Sequence, residues 1–472
     1  MKTIVIDPVT RIEGHAKITI RLDDEGRVAD TAFHVTQLRA FEKFTEGRPF
    51  YEMPSITARI CGICPISHLL TSAKACESIM SVRVPPTAVK LREIMHCGQV
   101  IQSHALSFFI LSAPDLLLGF DFDPNRRNIA GLFEAHPKIA KDGIGLRRFG
   151  QQVIAALAGE RIHPSWTVPG GVNAPLTSAA RDQILAAIPE AKATAIATLA
   201  LFKERLDQFT DEIATFGSTP TMHAGLVDAD DTMQLYEGGL RFVDADGNVV
   251  VPRMKAEEYP DYIGEAVVPH SFLKAPYFRP MGYPDGAYRV GPLSRLNVAA
   301  RCGTERADTE FAEFHERYGK VVHSSFHYHY ARLIEILYCI EKMELLLNDP
   351  TILDRHVRAT AGVNALEGIG MAEAPRGVLT HHYKVNEDGA IVWVNLIIAT
   401  GHNNLSIGRS INEVSRHYVV GKQITDGMLN RVQAVLRAYD PCLSCSTHAT
   451  GQYAVDVELV DATGAVLDTA RA

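Results

Sequence analysis

Two Cys-x-x-Cys pairs stand near opposite ends of the chain: Cys61 and Cys64 in Arg-Ile-Cys-Gly-Ile-Cys-Pro-Ile-Ser-His, Cys442 and Cys445 in Asp-Pro-Cys-Leu-Ser-Cys-Ser-Thr-His. The spacing lets both sulfurs of a pair face one point from a turn or a helix start. Four thiolates that meet form a soft site suited to zinc, iron, copper(I) or nickel. A metal held by both pairs would tie the two ends of the protein together. Structural zinc usually takes its ligands from a compact stretch, because the ion replaces a missing core, whereas 472 residues can build cores of their own. Pro65 and Pro441 fix the backbone beside each pair, and Gly62 leaves room for something bulky to approach. His68, four residues past Cys64, projects from the same side of a helix and can hydrogen-bond a thiolate, as can Arg59. Chemistry alone leaves three readings open: a catalytic or redox metal, a structural zinc, or two unrelated pairs. His323, His327 and His329 form a second cluster, for which a packed, hydrogen-bonded surface is expected. Cys76, Cys97, Cys302 and Cys339 stand singly in apolar contexts and are expected to be small buried hydrophobes.

The elements that position these groups follow from pattern. Residues 3 to 34 alternate as strands around the Asp23-Asp-Glu-Gly turn. Helical periodicity covers 53 to 80, Val89 to about Ser112, a stretch within 125 to 159, Ser178 to Phe216, 306 to 348, and Ile411 to Tyr439. Residues 220 to 300 read as short strands and loops, and Tyr383 to Leu396 as a hairpin. The expected class is α+β and predominantly helical, a central bundle of long helices with small peripheral antiparallel sheets. Its regions are 1–52, a sheet region; 53–219, a helical core with the first cysteine pair; 220–305, irregular; 306–448, helical core, hairpin and second pair; and 449–472, a C-terminal segment. A net charge of -8 argues against a nucleic-acid binder. The start lacks a basic region followed by an apolar run, and no run of about 18 apolar residues suggests a membrane span, so a cytoplasmic protein is expected. Eight cysteines in this length do not make a disulfide scaffold.

Further segments accompany the cysteine boxes: Asp7-Pro-Val-Thr-Arg-Ile-Glu-Gly-His, Arg39-Ala-Phe-Glu-Lys, His163-Pro with Pro169-Gly-Gly-Val, and Ala374-Pro-Arg-Gly. Together the six resemble, in order and over nearly the whole chain, the large catalytic subunit of the nickel–iron hydrogenases. The resemblance implies that family's fold and its chemistry, the heterolytic cleavage of dihydrogen. It implies Cys61 and Cys442 as terminal nickel ligands and Cys64 and Cys445 as bridges to an iron that carries carbon monoxide and two cyanides. Glu13 matches the proton-relay glutamate, a simple pairing with Arg11 being the plain alternative. Arg376 matches the arginine over the metals; Asp115, in Ala113-Pro-Asp, fits its acidic partner or is merely a helix-end residue. His68 fits the donor to a bridging cysteine. Glu42, His448 and the backbone carbonyl of Leu396 match ligands of a magnesium or iron site near the C-terminus. Ala40 departs from the common Arg-Gly-Phe-Glu, a change expected to leave Glu42 undisturbed.

The same resemblance implies partners. The chain has no dinucleotide fingerprint and no further cysteine runs for iron–sulfur clusters. Electrons must therefore leave through a small iron–sulfur subunit. Ile63-Cys-Pro-Ile-Ser-His, Gly401-His-Asn-Asn and the C-terminal box look most like the cytoplasmic, bidirectional branch, which reaches NAD through flavin diaphorase subunits carrying FMN. A maturation chaperone and an endopeptidase cutting after His448 are also implied, with 449–472 removed; a C-terminal hairpin is the alternative for that segment. Rival readings are a deazaflavin-reducing nickel–iron hydrogenase, a zinc-stapled structural subunit, and a quinone-site subunit of respiratory NADH dehydrogenase, which lacks the four cysteines.

Overall fold

The computed structural model describes residues 2–420, 424–448, 456–460 and 466–471. Strands β1 (Lys2–Ile6), β2 (Ala16–Leu22) and β3 (Val28–Val35) form an antiparallel meander, with Ile18 and Ile20 of β2 turned into the core. The helical stretch expected over 53–80 is interrupted. Short turns cover Phe50–Ile60, an irregular link holds Cys61 to Cys64, and α1 (Pro65–Met80) follows. Pro65 sits at the first helical position, where its missing N–H costs nothing. Helix α2 (Pro86–Ala105) starts the same way and runs on as π-helical turns through Leu106–Ser112 and Pro114–Leu118. Helix α3 (Pro137–Ala158) packs along it so closely that a Cβ on Gly150 would lie 2.4 Å from the Gly98 carbonyl oxygen.

Helix α4 (Ser178–Arg205) ends before Phe216: the chain tightens to a 3-10 turn at Leu206–Phe209 and restarts over Thr210–Thr215. Strands β4 (Met222–Val227), β5 (Gly239–Val243), β6 (Val249–Met254) and β7 (Tyr288–Arg289) make a sheet of order β7-β4-β5-β6, in which only β7 pairs parallel to its neighbour. The block expected over 306–348 is two helices, Glu305–Tyr318 and the central α5 (Tyr328–Leu347), buried almost all round. Strands β8 (Glu367–Ala374), β9 (Gly377–Val385) and β10 (Ile391–Ile397) form an antiparallel sheet against α1. The single helix expected over 411–439 is instead α6 (Asn404–Tyr418) and α7 (Asp426–Tyr439). Beyond His448, β11 (Asp456–Val460) and β12 (Val466–Arg471) pair antiparallel; the cut expected after His448 falls at Ala449, outside the described residues.

One apolar cluster joins β2, α1, α2, α5 and α7 through Ile18, Leu69, Val100, Leu333 and Leu436, so the N-terminal and C-terminal regions share a core. A second cluster, beneath β9 and β10, contains all four motif cysteines with Ile60, Leu379 and Leu396. The expectation of no candidate membrane span needs amending. By length and composition alone, Pro86–Ser112 and Ser178–Thr215 are long and apolar enough. The first is a core helix, 89% buried across its apolar window. The second is more exposed, and its Lys192 and Lys203 pair with Glu341, Glu344, Glu310 and Glu313 of neighbouring helices.

Candidate metal centre

The two cysteine pairs meet. Among the described residues, Cys61, Cys64, Cys442 and Cys445 are the one cluster able to hold a metal, with all four sulfurs within 4.8 Å of one another. Cys61 and Cys442 Sγ lie 3.5 Å apart, Cys64 and Cys445 3.5 Å, and Cys442 and Cys445 2.9 Å. All are buried.

Each pair is held from several directions. The first sits in the link before α1. There the backbone N–H groups of Ile63 and Cys64 donate to Cys61 Sγ at 3.2 and 3.3 Å. From α2, Gln99 and Gln102 donate to the Ile63 carbonyl, and Gln99 also accepts from Ile66 N–H. The second pair follows α7, where Asp440 closes the helix at φ 54°. Cys442 N–H donates to Thr400 Oγ1 at 2.9 Å. N-terminal chain then clasps the box: Leu443 N–H donates to the Glu13 carbonyl, Ser444 N–H to Glu13 Oε2, and Arg39 and Ala40 N–H to the Thr447 carbonyl. Gly14, at φ +86°, makes this approach possible, since a Cβ there would fall 2.7 Å from Leu443 Cβ.

Four buried sulfurs this close cannot all ionise unaided. Hydrogen bonds from Cys442, Cys445 and Cys64 hold Cys61 well below the usual thiol range, while burial pushes Cys442 and Cys445 well above it. The pocket thus carries about one negative charge by itself, and a soft dication would displace the remaining protons. Arg376 overlooks the sulfurs. Asp440 takes its Nε through the backbone carbonyl and its Nη2 through the carboxylate at 3.1 Å, while Nη1 is buried without a partner. Burial works against that charge, but Asp440 and the Cys442, Cys64 and Cys61 sulfurs outweigh it and keep Arg376 protonated. Soft donors plus an unspent guanidinium N–H fit a thiolate-held metal pair with anionic ligands.

A second pocket lies alongside. Glu42 Oε1 accepts from Leu396 N–H at 2.9 Å and from Lys274 Nζ at 3.2 Å. Lys274 also reaches Glu265 at 2.8 Å and Asn395 at 2.9 Å. His448 packs its ring edge-on to Phe41, and both of its buried ring nitrogens are without a partner. Burial drives its pKa well down, so the ring is neutral and able to ligate. An orphaned imidazole beside a buried carboxylate fits a hard cation. Ala40, just before Glu42, adopts φ 54°, the left-handed region where glycine is at ease, which gives the departure at this position a local backbone cost.

Three expectations are corrected. Asp115 is not the partner of Arg376. It binds Arg11 at 2.5 Å, Arg437 at 3.0 Å and Asn430 at 3.0 Å, because the π-helical turn carries it towards α7. Burial raises its pKa, but Arg437 and Arg11 outweigh that and the net shift is downward. Arg11 is thereby taken, so the simple pairing of Glu13 with Arg11 is also overturned. Arg59 turns away from the sulfurs to bind Ser55. His68 is buried and neutral, pushed down to about 4 by burial against the opposing charge of Cys61, and its Nδ1 lies 3.2 Å from His381 Nε2. His323, His327 and His329 go separate ways: His323 bonds the Ala245 carbonyl, His327 packs on Tyr318 and His329 on Phe326. Sequence reasoning misses Asp440, Gln99, Lys274 and His381. Asp440 stands inside the C-terminal box; the others carry no local signal.

The sequence model of the nickel-dependent hydrogenase family matches residues 39–118 and 243–448, and a HoxL-like family model matches 3–38. The chain is 40% identical to the NAD-reducing hydrogenase HoxS subunit beta of Cupriavidus necator, covering 99% of each chain. It is 43% identical to the large vhu polypeptide of the F420-non-reducing hydrogenase of Methanocaldococcus jannaschii, over 88% of this chain and 99% of that one. The crystal structure of an NAD+-reducing NiFe-hydrogenase in the H2-reduced state superposes with a TM-score of 0.92 at 42% identity, covering 95% of this chain and 100% of the other.

Proposed function

Because this chain belongs to the nickel-dependent hydrogenase family, we propose that it is the catalytic subunit of an enzyme that splits dihydrogen reversibly and exchanges the electrons with NAD. The observation that carries this reading is the meeting of four buried thiols from both chain ends within 4.8 Å. Cys61 and Cys442 serve as terminal nickel ligands, and Cys64 and Cys445 bridge to iron. When bound, the nickel–iron pair, with carbon monoxide and cyanide on iron, supplies the site of heterolytic cleavage.

The chain's own groups do the rest. Glu13 threads its carboxylate against the Ser444 N–H between the second pair of cysteines, and its half-buried position suits it to carry protons between pocket and surface. Arg376, oriented by Asp440, turns one free N–H to the anionic ligands. His68 donates to a sulfur. Glu42, His448 and the carbonyl of Leu396 hold magnesium or iron, and Lys274, Glu265 and Asn395 order its surroundings. This cation fastens the C-terminal box, which links it to removal of 449–472 by a maturation endopeptidase after a chaperone has delivered the metals.

A flavin-bearing diaphorase and a small iron–sulfur subunit complete the route to NAD, in the cytoplasm and without nucleic acid. The relatives named for NAD reduction support this acceptor. A deazaflavin acceptor has less support, since the archaeal relative is named as not reducing that coenzyme. The test is the matured complex. Nickel and iron near one each, infrared bands of carbon monoxide and cyanide, and hydrogen-dependent reduction of NAD rather than deazaflavin are expected. Zinc alone in the four-thiol pocket would overturn the reading in favour of a structural protein.

A further inference from the structure

Behind His68 runs a file of buried polar groups that the proposed chemistry does not use. His68 Nδ1 is 3.2 Å from His381 Nε2, His381 Nδ1 is 2.6 Å from Tyr383 Oη, and Tyr383 Oη is 2.8 Å from Ser72 Oγ. His68 and Ser72 come from α1, His381 and Tyr383 from β9, and none is more than 1% exposed. Burial keeps all three rings uncharged, pushing both imidazoles down and the phenol up.

A neutral imidazole has one N–H and one lone pair, so a file of neutral groups has only two consistent polarities. In one, Tyr383 donates to Ser72, His381 Nδ1–H donates to Tyr383, and His68 Nδ1–H donates to His381 Nε2. That leaves a bare Nε2 lone pair on His68, facing the sulfurs. In the other, Ser72 donates to Tyr383, Tyr383 to His381 Nδ1, and His381 Nε2–H to His68 Nδ1, leaving His68 with Nε2–H. Thiolates accept and do not donate, so the loaded pocket selects the second polarity. The hydroxyl at residue 383 is what fixes it, because an oxygen can supply the proton that His381 Nδ1 requires.

We propose that Tyr383 is a positioning residue, which acts through His381 to lock His68 as the Nε2–H tautomer and so keeps a hydrogen-bond donor on the metal-binding thiolates. The inference rests on reading the four-thiol pocket as the nickel–iron site. Removing the donor makes the sulfur a stronger electron donor, and iron then returns more charge to bound carbon monoxide.

The test is infrared spectroscopy of the complete, matured enzyme. In Tyr383→Phe the carbon monoxide band is expected at lower wavenumber than in the wild type, with nickel and iron content unchanged. His381→Phe removes the donor to His68 outright and is expected to shift the band the same way, at least as far. It carries the same test if Tyr383→Phe fails to accumulate. Ser72→Ala leaves Tyr383 free to donate to His381, so its band is expected to stay in place. A wild-type band in folded, metal-loaded Tyr383→Phe, or a shift in Ser72→Ala equal to that in Tyr383→Phe, would overturn the inference. Absence of these bands from the wild-type enzyme would instead overturn the reading of the pocket, and this inference with it.

Discussion

Two buried polar clusters lie on either side of the Ala374-Pro-Arg segment, and they are finished differently. In one, Arg295 spends its whole guanidinium inside the chain. Nε and Nη2 grip Glu335 at 2.6 Å each, Nη1 grips Glu373 at 2.7 Å, and Nη1 and Nη2 also reach the carbonyls of Ala374 and Pro375. His104 adds a bond to Glu335 at 2.7 Å, and Leu226 N–H caps Glu373. In the other, four sulfurs crowd together, Arg376 Nη1 has no partner, and both nitrogens of nearby His448 are orphaned. A closed network compensates its own desolvation and serves as structure. An open one at equal depth is stable only with something added, and here that is a thiophilic metal pair and a hard cation. The two are coupled: by holding the carbonyls at 374 and 375, Arg295 anchors the segment that aims Arg376.

This contrast can be broken at either cluster. The largest effect is expected at Cys64→Ala, which should abolish nickel and iron binding and hydrogen turnover. The metal-free chain should lose no more than about 1 kcal/mol, because a thiol leaves a crowded set. Metal analysis alongside denaturant unfolding checks both halves, and a large loss of apo stability would show that the pocket is self-sufficient after all. Glu13→Gln should keep both metals yet lower hydrogen–deuterium exchange by roughly 10²–10⁴-fold, the usual worth of a positioned proton carrier; full exchange activity would remove Glu13 from the relay.

At the closed cluster, Glu335→Ala strands Arg295 and His104 in the core. It should destabilise the chain by about 3–5 kcal/mol as measured by urea unfolding. A loss near zero would mean that the network does not hold the segment. Acid probes the same group. Burial raises the pKa of Glu335, but Arg295 overrides it and the carboxyl is held at about 2. Its folded pKa being depressed, its stabilisation is present above the unfolded value and is lost as pH falls from about 4.3 towards 2, on the order of 3 kcal/mol. Glu373 offsets part of this, since burial raises its pKa and it opposes folding at neutral pH. Unfolding measured between pH 6 and pH 3 should therefore show a loss that Glu335→Gln lacks. The smallest effect is expected at Ala40→Gly. Relief of the left-handed backbone should stabilise the Glu42 turn by up to about 1 kcal/mol, seen as a higher melting temperature.

The chemistry is legible because it is written in short segments whose spacing survives folding. Each Cys-x-x-Cys turn, Glu13 in its Arg-Ile-Glu-Gly-His, Glu42 two residues past Ala40, and Arg376 after Ala374-Pro can be located from neighbours alone. Helices lie where apolar residues recur. Their ends depart from the pattern at 205, 318 and 420, where periodicity continues but the backbone turns to meet a packing partner. Asp115 goes astray for a similar reason: its local setting marks a helix end, while its three cationic neighbours, Arg11, Arg127 and Arg437, arrive from distant segments.

The sequence by itself determined which atoms could bind a soft metal and which groups could serve it, because donor type and local spacing are covalent facts. Only the tertiary structure decided which donors meet and which stay unsatisfied. It took Asp115 for Arg11 and Arg437, gave Arg376 to Asp440, set Lys274 against Glu42, and lined up Ser72, Tyr383, His381 and His68 from a helix and a strand more than 300 residues apart. Pairing at such separations depends on how the shared core brings helix and sheet together, and no local pattern encodes it.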